Sequence, residues 1–382
     1  AGPGGYIGVN TGLLLATETE SELASVVAHE IAHVTQNHLF RAFDEFSRLA
    51  GPAALLTLGA ALLGATVSGD AAVAAIAGIQ AGMAQAQLNF SRANEEEADR
   101  EGIKILAEAE YDPRAMPVFF GRMAQATRLY QTNLPEFLRT HPVTSNRIAD
   151  AMGRAEAYPY TQPTPDPRYY LLRARLRLDS FKNPADAVVN FRQALEEGRY
   201  RDQDAQRYGY ALALTRARDY PEAQKQLDLL LRKQPASIPY RLAQAQLYQA
   251  QGESAQAIAS LETALDLYPG NYALSMEYAS LQQKYGEPTK AYEILSRLRR
   301  QRPDDIAILE PLARSAAAIG AEDEAYQYQA EWYYMHGQLE AAVRQLEIAL
   351  NQPDLVYYRN ARLAARLQQY RGELAELKKD QR

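Results

Sequence analysis

The sequence predicts a mainly α-helical chain in two parts: a domain with a small β-hairpin near its start, then a solenoid of paired helices. Three observations predict it. Behind about residue 168, prolines and glycines return at a spacing of 34 residues. Ahead of it, Leu23, Val26, Val27 and Ile31 lie at helical rather than alternating spacing. The composition also changes between the parts. Residues 1–150 carry 10 basic and 17 acidic side chains, residues 151–382 carry 31 and 30, and only Tyr6, Tyr111 and Tyr130 of the 25 tyrosines fall in the first part.

A chain of 382 residues is long enough for two or three domains. Prolines 159, 163, 165 and 167 make residues 158–167 a linker, because proline at that density stops helices and favours extended chain. The expected domains are therefore 1–157 and 168–382. There is no cysteine, which excludes disulfides, thiolate nucleophiles and Cys-ligated metals. A net charge of −6 argues against nucleic acid as a partner. The chain opens on Ala-Gly-Pro-Gly-Gly with no leader pattern, and the expectation is that further residues precede it. Residues 53–67 and 71–79 are apolar runs rich in alanine and glycine, each short of the ~20 residues a spanning helix needs. Segment 51–90 thus reads as a buried helical hairpin or a mobile apolar flap, with contact to a membrane face or an apolar partner as the other reading.

Taken in order, residues 6–15 are strand-like and 21–33 form a helix. Thr19 or Ser21 caps that helix, and Glu20 and Glu22 suit its positive N-terminal end. It carries His29-Glu30-Ile-Ala-His33. Residues four apart project from one helix face, so two imidazoles can grip one zinc ion. Glu30, offset by about 100°, is placed to take a proton from the attacking water rather than to ligate.

A catalytic zinc needs a third protein ligand. The extended metzincin pattern fails, with Gln36 and Leu39 where it needs Gly and His. His38 follows His33 by five and reads as a polar histidine near the helix end, or one standing behind a ligand. Segment 94–102, Asn-Glu-Glu-Glu-Ala-Asp-Arg-Glu-Gly, lies in a helix expected over 85–109. There Glu95 and Asp99 share a face with Arg92 and Ile103, which suits a ligand beside a carboxylate orienting a histidine.

These motifs resemble the zinc metallopeptidase family that includes HtpX and the CAAX prenyl endopeptidase. The resemblance rests on Gly-Gly-Tyr-Ile-Gly-Val-Asn-Thr-Gly-Leu (4–13), His-Glu-Ile-Ala-His (29–33), Glu95-x-x-x-Asp99, and Thr-His-Pro (140–142) with Arg147, and it covers roughly residues 4–150. It implies a zincin-like metallopeptidase domain with one Zn²⁺ per chain. It also implies that Glu95, rather than Glu96 or Glu97, completes the ligand set of His29 and His33. The opening strand gains a use: Ile7, Gly8, Val9 and Asn10 form an edge to which a substrate peptide adds through main-chain hydrogen bonds. His141, in a loop before a helix expected from about 144 to 157, either donates to the tetrahedral oxyanion or fills the open zinc position. Arg147 either pairs with the acidic helix and fixes that loop or is solvated.

In the second part Pro235, Pro269 and Pro303 are 34 residues apart, as are Gly252, Gly286 and Gly320, with alanines in register at 223, 257, 291 and 325. This is the period of tetratricopeptide repeats, a resemblance covering roughly 168–375. Gly337 lies 17 residues after Gly320, half a period, so a helix at about 306–319 is expected to lack a partner. Tyrosine pairs such as Tyr169–Tyr170 and Tyr333–Tyr334 cannot both point inward, so some face solvent or a partner.

A zinc peptidase joined to such repeats resembles a group of bacterial envelope proteases. That implies a periplasmic endopeptidase acting on misfolded or misassembled proteins, outer-membrane proteins among them. Its repeats would recruit clients or the outer-membrane barrel assembly machinery. The competing expectation is a non-catalytic tetratricopeptide chaperone or adaptor with a structural zinc domain. Glu30 speaks against it, because a structural site needs no general base.

Overall fold

The structure, a computed structural model, describes residues 3–64, 69–129, 141–160, 163–164, 166–353 and 355–380. It divides into two compact units, Ala1–Ser180 and Phe181–Arg382.

The first unit is helical throughout its described elements. Asn10 caps α1 (Thr11–Ala16), its side chain accepting from Leu13 N at 2.8 Å. Thr19 caps α2 (Glu20–Thr35) by accepting from Glu22 N, and the Glu22 carboxylate reaches back to Glu18 N, just ahead of the cap, at 2.6 Å. Glu22 also pairs with Arg122 of α5 (Ala115–Leu129), tying the two helices together. Val26 of α2, Ile103 of α4 (Gly69–Glu108), Met116, Phe119, Phe120 and Met123 of α5, and Ala151 of α6 (Ser145–Glu156) make one core.

The expected β-hairpin is absent: there is no strand among the described residues. Residues 6–10, which include the proposed substrate edge Ile7, Gly8, Val9 and Asn10, carry no regular element, and the chain is helical from Thr11. Strand-like side chains cannot make a strand without a neighbour to take up their backbone groups, and no such neighbour lies among the described residues.

Helix α3 (His38–Gly64) packs along α4, so the apolar segment is a helical hairpin. It is not a buried one: Leu55, Leu56 and Val73 are exposed. No described helix is long and apolar enough to cross a membrane. Helix α7 (Pro167–Asp179), expected to open the repeat array, lies in the first unit against α1. There Tyr169 donates to Thr17 Oγ1 at 2.8 Å, and Arg173 donates to the Leu14 and Leu15 carbonyls. Tyr169 is buried and its neighbour Tyr170 half-buried, as two adjacent helical positions require.

The second unit starts with Pro184–Glu196, which packs on Gln203–Arg216. Pairs follow: Gln203–Arg216 with Tyr220–Lys233, Ile238–Gln251 with Ser254–Leu267, and Tyr272–Tyr285 with Pro288–Gln301. The in-register alanines 223, 257 and 291 and leucines 227, 261 and 295 are buried at the crossings. The helix expected to be unpaired is in fact paired: Leu309–Ala318 packs on Glu322–Met335, and Leu339–Leu350 packs on Tyr357–Asp380. Gly320 follows the first helix of the 309–335 pair and Gly337 the second. Both have positive φ (79° and 72°), so Gly337 ends its helix by a left-handed turn where earlier units use proline. The half-period spacing marks a change of stop signal, not a missing helix.

Close packing shows at Gly209, where a Cβ would overlap the buried Phe191 ring. Gly209→Ala gains about 1 kcal/mol of helix propensity but overpacks at a cost of about 1–3 kcal/mol. A net loss of stability is expected, read as a lower urea midpoint.

Candidate metal centre

Two helices and one loop build the centre. Helix α2 presents His29 and His33 on one face, α4 presents Glu95 and Asp99 on one face, and His141 enters from the loop before α6. Helices α2 and α4 approach closely at Gly102, where a Cβ would stand 3.1 Å from His29 N and 3.2 Å from His29 Cα. A larger residue there would push Glu95 and Asp99 away from the histidines.

One nitrogen from each of the three imidazoles and one oxygen of Glu95 lie within 4.8 Å of one another. His29 Nε2 is 3.0 Å from His33 Nε2 and 3.3 Å from His141 Nδ1. Glu95 oxygens lie 3.5 Å from His29 Nε2, 3.3 Å from His33 Nε2 and 2.9 Å from His141 Nδ1. Metal–donor bonds of about 2.0–2.1 Å in a tetrahedron give edges of about 3.3 Å, so these residues fit a tetrahedral cation. The charges agree. Burial opposes protonation of His29, yet the Asp99 and Glu95 carboxylates outweigh it and push its pKa up to about 9. Burial also opposes ionisation of Glu95, but contacts from His141, His29 and His33 hold it far below the usual carboxylate range. Both shifts report carboxylates facing the cluster, which suits a cation there, while burial holds His33 below the ordinary imidazole value and so favours its neutral form.

Behind the donors, Asp99 Oδ1 lies 2.9 Å from His29 Nδ1. Arg147 grips Asp99 with two hydrogen bonds of 2.7 Å, from Nε and a terminal nitrogen. It also reaches Glu95 Oε2 at 2.9 Å and the Pro142 carbonyl at 2.8 Å. Arg147 is therefore not solvated: it is 4% exposed and ties the α4 carboxylates to the His141 loop. Glu30 is buried, stands outside the four donors, and has its Oε1 3.3 Å from His141 Nε2. Among the acidic neighbours, Glu96 is exposed and Glu97 turns toward Arg41 and His38. Residues 7–10 are not joined to the cluster by any sheet.

A helix-borne His-Glu-x-x-His completed by a carboxylate from a second helix defines a metallopeptidase. Residues 1–155 match peptidase family M48, and residues 248–314 match the tetratricopeptide repeat. The chain is 35% identical to the beta-barrel assembly-enhancing protease of Escherichia coli over 371 residues, 96% of this chain and 75% of that one. It is 36% identical to a putative beta-barrel assembly-enhancing protease of Vibrio cholerae over 86% of this chain and 69% of that one. It is 32% identical to the human mitochondrial metalloendopeptidase OMA1 over 38% of this chain and 28% of that one. The chain belongs to peptidase family M48 and is a metallopeptidase with tetratricopeptide repeats.

Breaking a buried ion pair from one side leaves a charge uncompensated and costs about 3–5 kcal/mol. Arg147→Ala should therefore lower the melting temperature of the metal-free chain at neutral pH. Burial opposes ionisation of Asp99, but Arg147 and His29 hold its carboxyl below the ordinary value. The pair's contribution is complete above about pH 4 and is lost as the pH falls through the depressed value. The gap between variant and parent should narrow in acid, as read by melting curves across pH.

Proposed function

We propose that the chain is a zinc-dependent endopeptidase of the bacterial periplasm that degrades misfolded or misassembled outer-membrane proteins. The observation that carries this reading is the four-donor cluster with Glu30 beside it. His29, His33 and Glu95 would hold one zinc ion, which when bound supplies Lewis acidity toward the scissile carbonyl and the attacking water. Glu30 takes the water's proton and passes it to the leaving amine. Asp99 fixes the ring of His29, and Arg147 fixes Asp99 and the loop carrying His141. In the arrangement described, His141 Nδ1 occupies the fourth corner and its Nε2 engages Glu30. This favours His141 as a cap over the site rather than an oxyanion donor, so the loop has to move before a peptide enters. Backbone at Ile7, Gly8, Val9 and Asn10 is the stretch proposed to pair with an extended substrate.

The clients and place of action rest on relatives whose name states beta-barrel assembly and on repeats suited to protein contact. The repeats would recruit the client or the outer-membrane barrel assembly machinery. The apolar segment 51–90, exposed at Leu55, Leu56 and Val73, would give peripheral contact with a membrane.

Metal analysis of the purified chain should find one zinc per chain, lost in Glu95→Ala. With a urea-unfolded outer-membrane barrel protein presented by dilution, Glu30→Gln should cut turnover by about 10²–10⁴-fold while leaving zinc bound. Survival of turnover in Glu30→Gln would sink the mechanism. His141→Ala should raise turnover; a fall would return His141 to the oxyanion role.

A further inference from the structure

His33 has a second contact, on the side away from the donor cluster. Its Nδ1 lies 2.8 Å from His38 Nδ1, His38 Nε2 lies 3.3 Å from Glu97 Oε2, and an Arg41 terminal nitrogen donates to the same oxygen at 2.9 Å. The helix break explains how His38 gets there. On an unbroken helix a residue five positions on is turned away by about 140°. Here α2 ends at Thr35, Asn37 takes a left-handed conformation (φ 54°), and α3 begins at His38. Asparagine is one of the few residues that tolerates that conformation. The turn brings the His38 ring, 4% exposed, against His33.

One arrangement of protons satisfies every link while His33 Nε2 keeps its lone pair for a cation. A neutral His33 then carries its proton on Nδ1. That proton needs an acceptor, and His38 Nδ1 accepts only if His38 carries its own proton on Nε2. The His38 Nε2–H in turn faces Glu97, a carboxylate that can only accept, and Arg41 holds the carboxylate in place. The chain of donors runs from His33 outward without a clash. His38 is not itself among the four clustered donors.

We propose that His38, Glu97 and Arg41 are positioning residues that fix His33 in the Nδ1-protonated tautomer and turn its Nε2 toward the metal. The proposal rests on the zinc reading above. It gives the two helical histidines separate anchors: His29 is held directly by Asp99, which Arg147 grips in turn, and His33 is held through His38 by Glu97 and Arg41. The second anchor is nearer the surface, since Glu97 is half-buried and Arg41 exposed.

The test is zinc affinity of the full chain by chelator competition, with the visible spectrum of the cobalt-loaded chain as a second readout. His38→Leu should weaken zinc binding by about 10–100-fold and Glu97→Ala by about 10-fold, each with an altered cobalt spectrum. His38→Gln should stay within about 3-fold of the parent, because its amide accepts from His33 and donates to Glu97. Unfolding in chelator shows which variants are folded without metal, and if His38→Leu is not, the surface variant Glu97→Ala decides. A parent chain that binds no zinc would sink the zinc reading itself. A parent that binds zinc, with folded His38→Leu and Glu97→Ala binding equally tightly, would overturn the positioning role alone. A glutamine as poor as leucine would overturn it as well.

Discussion

Helices α2 and α4 meet where Gly102 faces the backbone of His29, with no room for a side chain between them. That contact sets how far the carboxylates of one helix stand from the imidazoles of the other. Glu95 and Asp99 lie two turns and one turn before Gly102 on α4, so the glycine fixes their distance from His29 without touching a ligand atom. The core formed by Val26, Ile103, Met116 and Phe120 then closes around the same crossing. Donor spacing at the centre is in this sense a packing result: the helices are held by apolar burial, and the ligands ride on them.

The electrostatic arrangement follows from that closeness. Several carboxylates and imidazoles share a small buried volume, which is costly unless each is paired. Arg147 satisfies two of the carboxylates and a loop carbonyl at once, with its guanidinium resting over the Phe120 ring at 5.1 Å. It therefore joins the acidic face of α4 to the segment carrying His141. The position of that loop and the orientation of the carboxylates are linked through one side chain.

The parts of the fold and site that were legible in the sequence are those set by helical periodicity. His29 with His33 and Glu95 with Asp99 are four-residue spacings, and a helix places such pairs on one face whatever surrounds it. The 34-residue period located the repeats for the same reason. What periodicity could not supply depended on partners elsewhere in the chain. Residues 6–10 look like a strand, but a strand is a property of two segments. The burial of Arg147 depends on carboxylates 48 and 52 positions away in sequence. Spacing alone leaves His38 either a polar histidine near the helix end or one standing behind a ligand, because nothing in Thr-Gln-Asn fixes that the helix stops, reverses hand for one residue and starts again. The last repeats escape the 34-residue pattern because a glycine turn replaces a proline stop and shifts the marker by one helix.

Helix α4 runs unbroken from Gly69 to Glu108. Its first part is one arm of the apolar hairpin, and its last part carries Glu95, Asp99 and Gly102. At about 1.5 Å per residue the arm extends roughly 39 Å beyond Glu95. With its fulcrum at the Gly102 crossing, it has the proportions of a lever. A tilt of about 5° about Gly102 that displaces the tip by roughly 4 Å moves the carboxylates beside the fulcrum by less than about 1 Å. Read in reverse, small adjustments among the ligands are magnified at the exposed apolar end of the same rod.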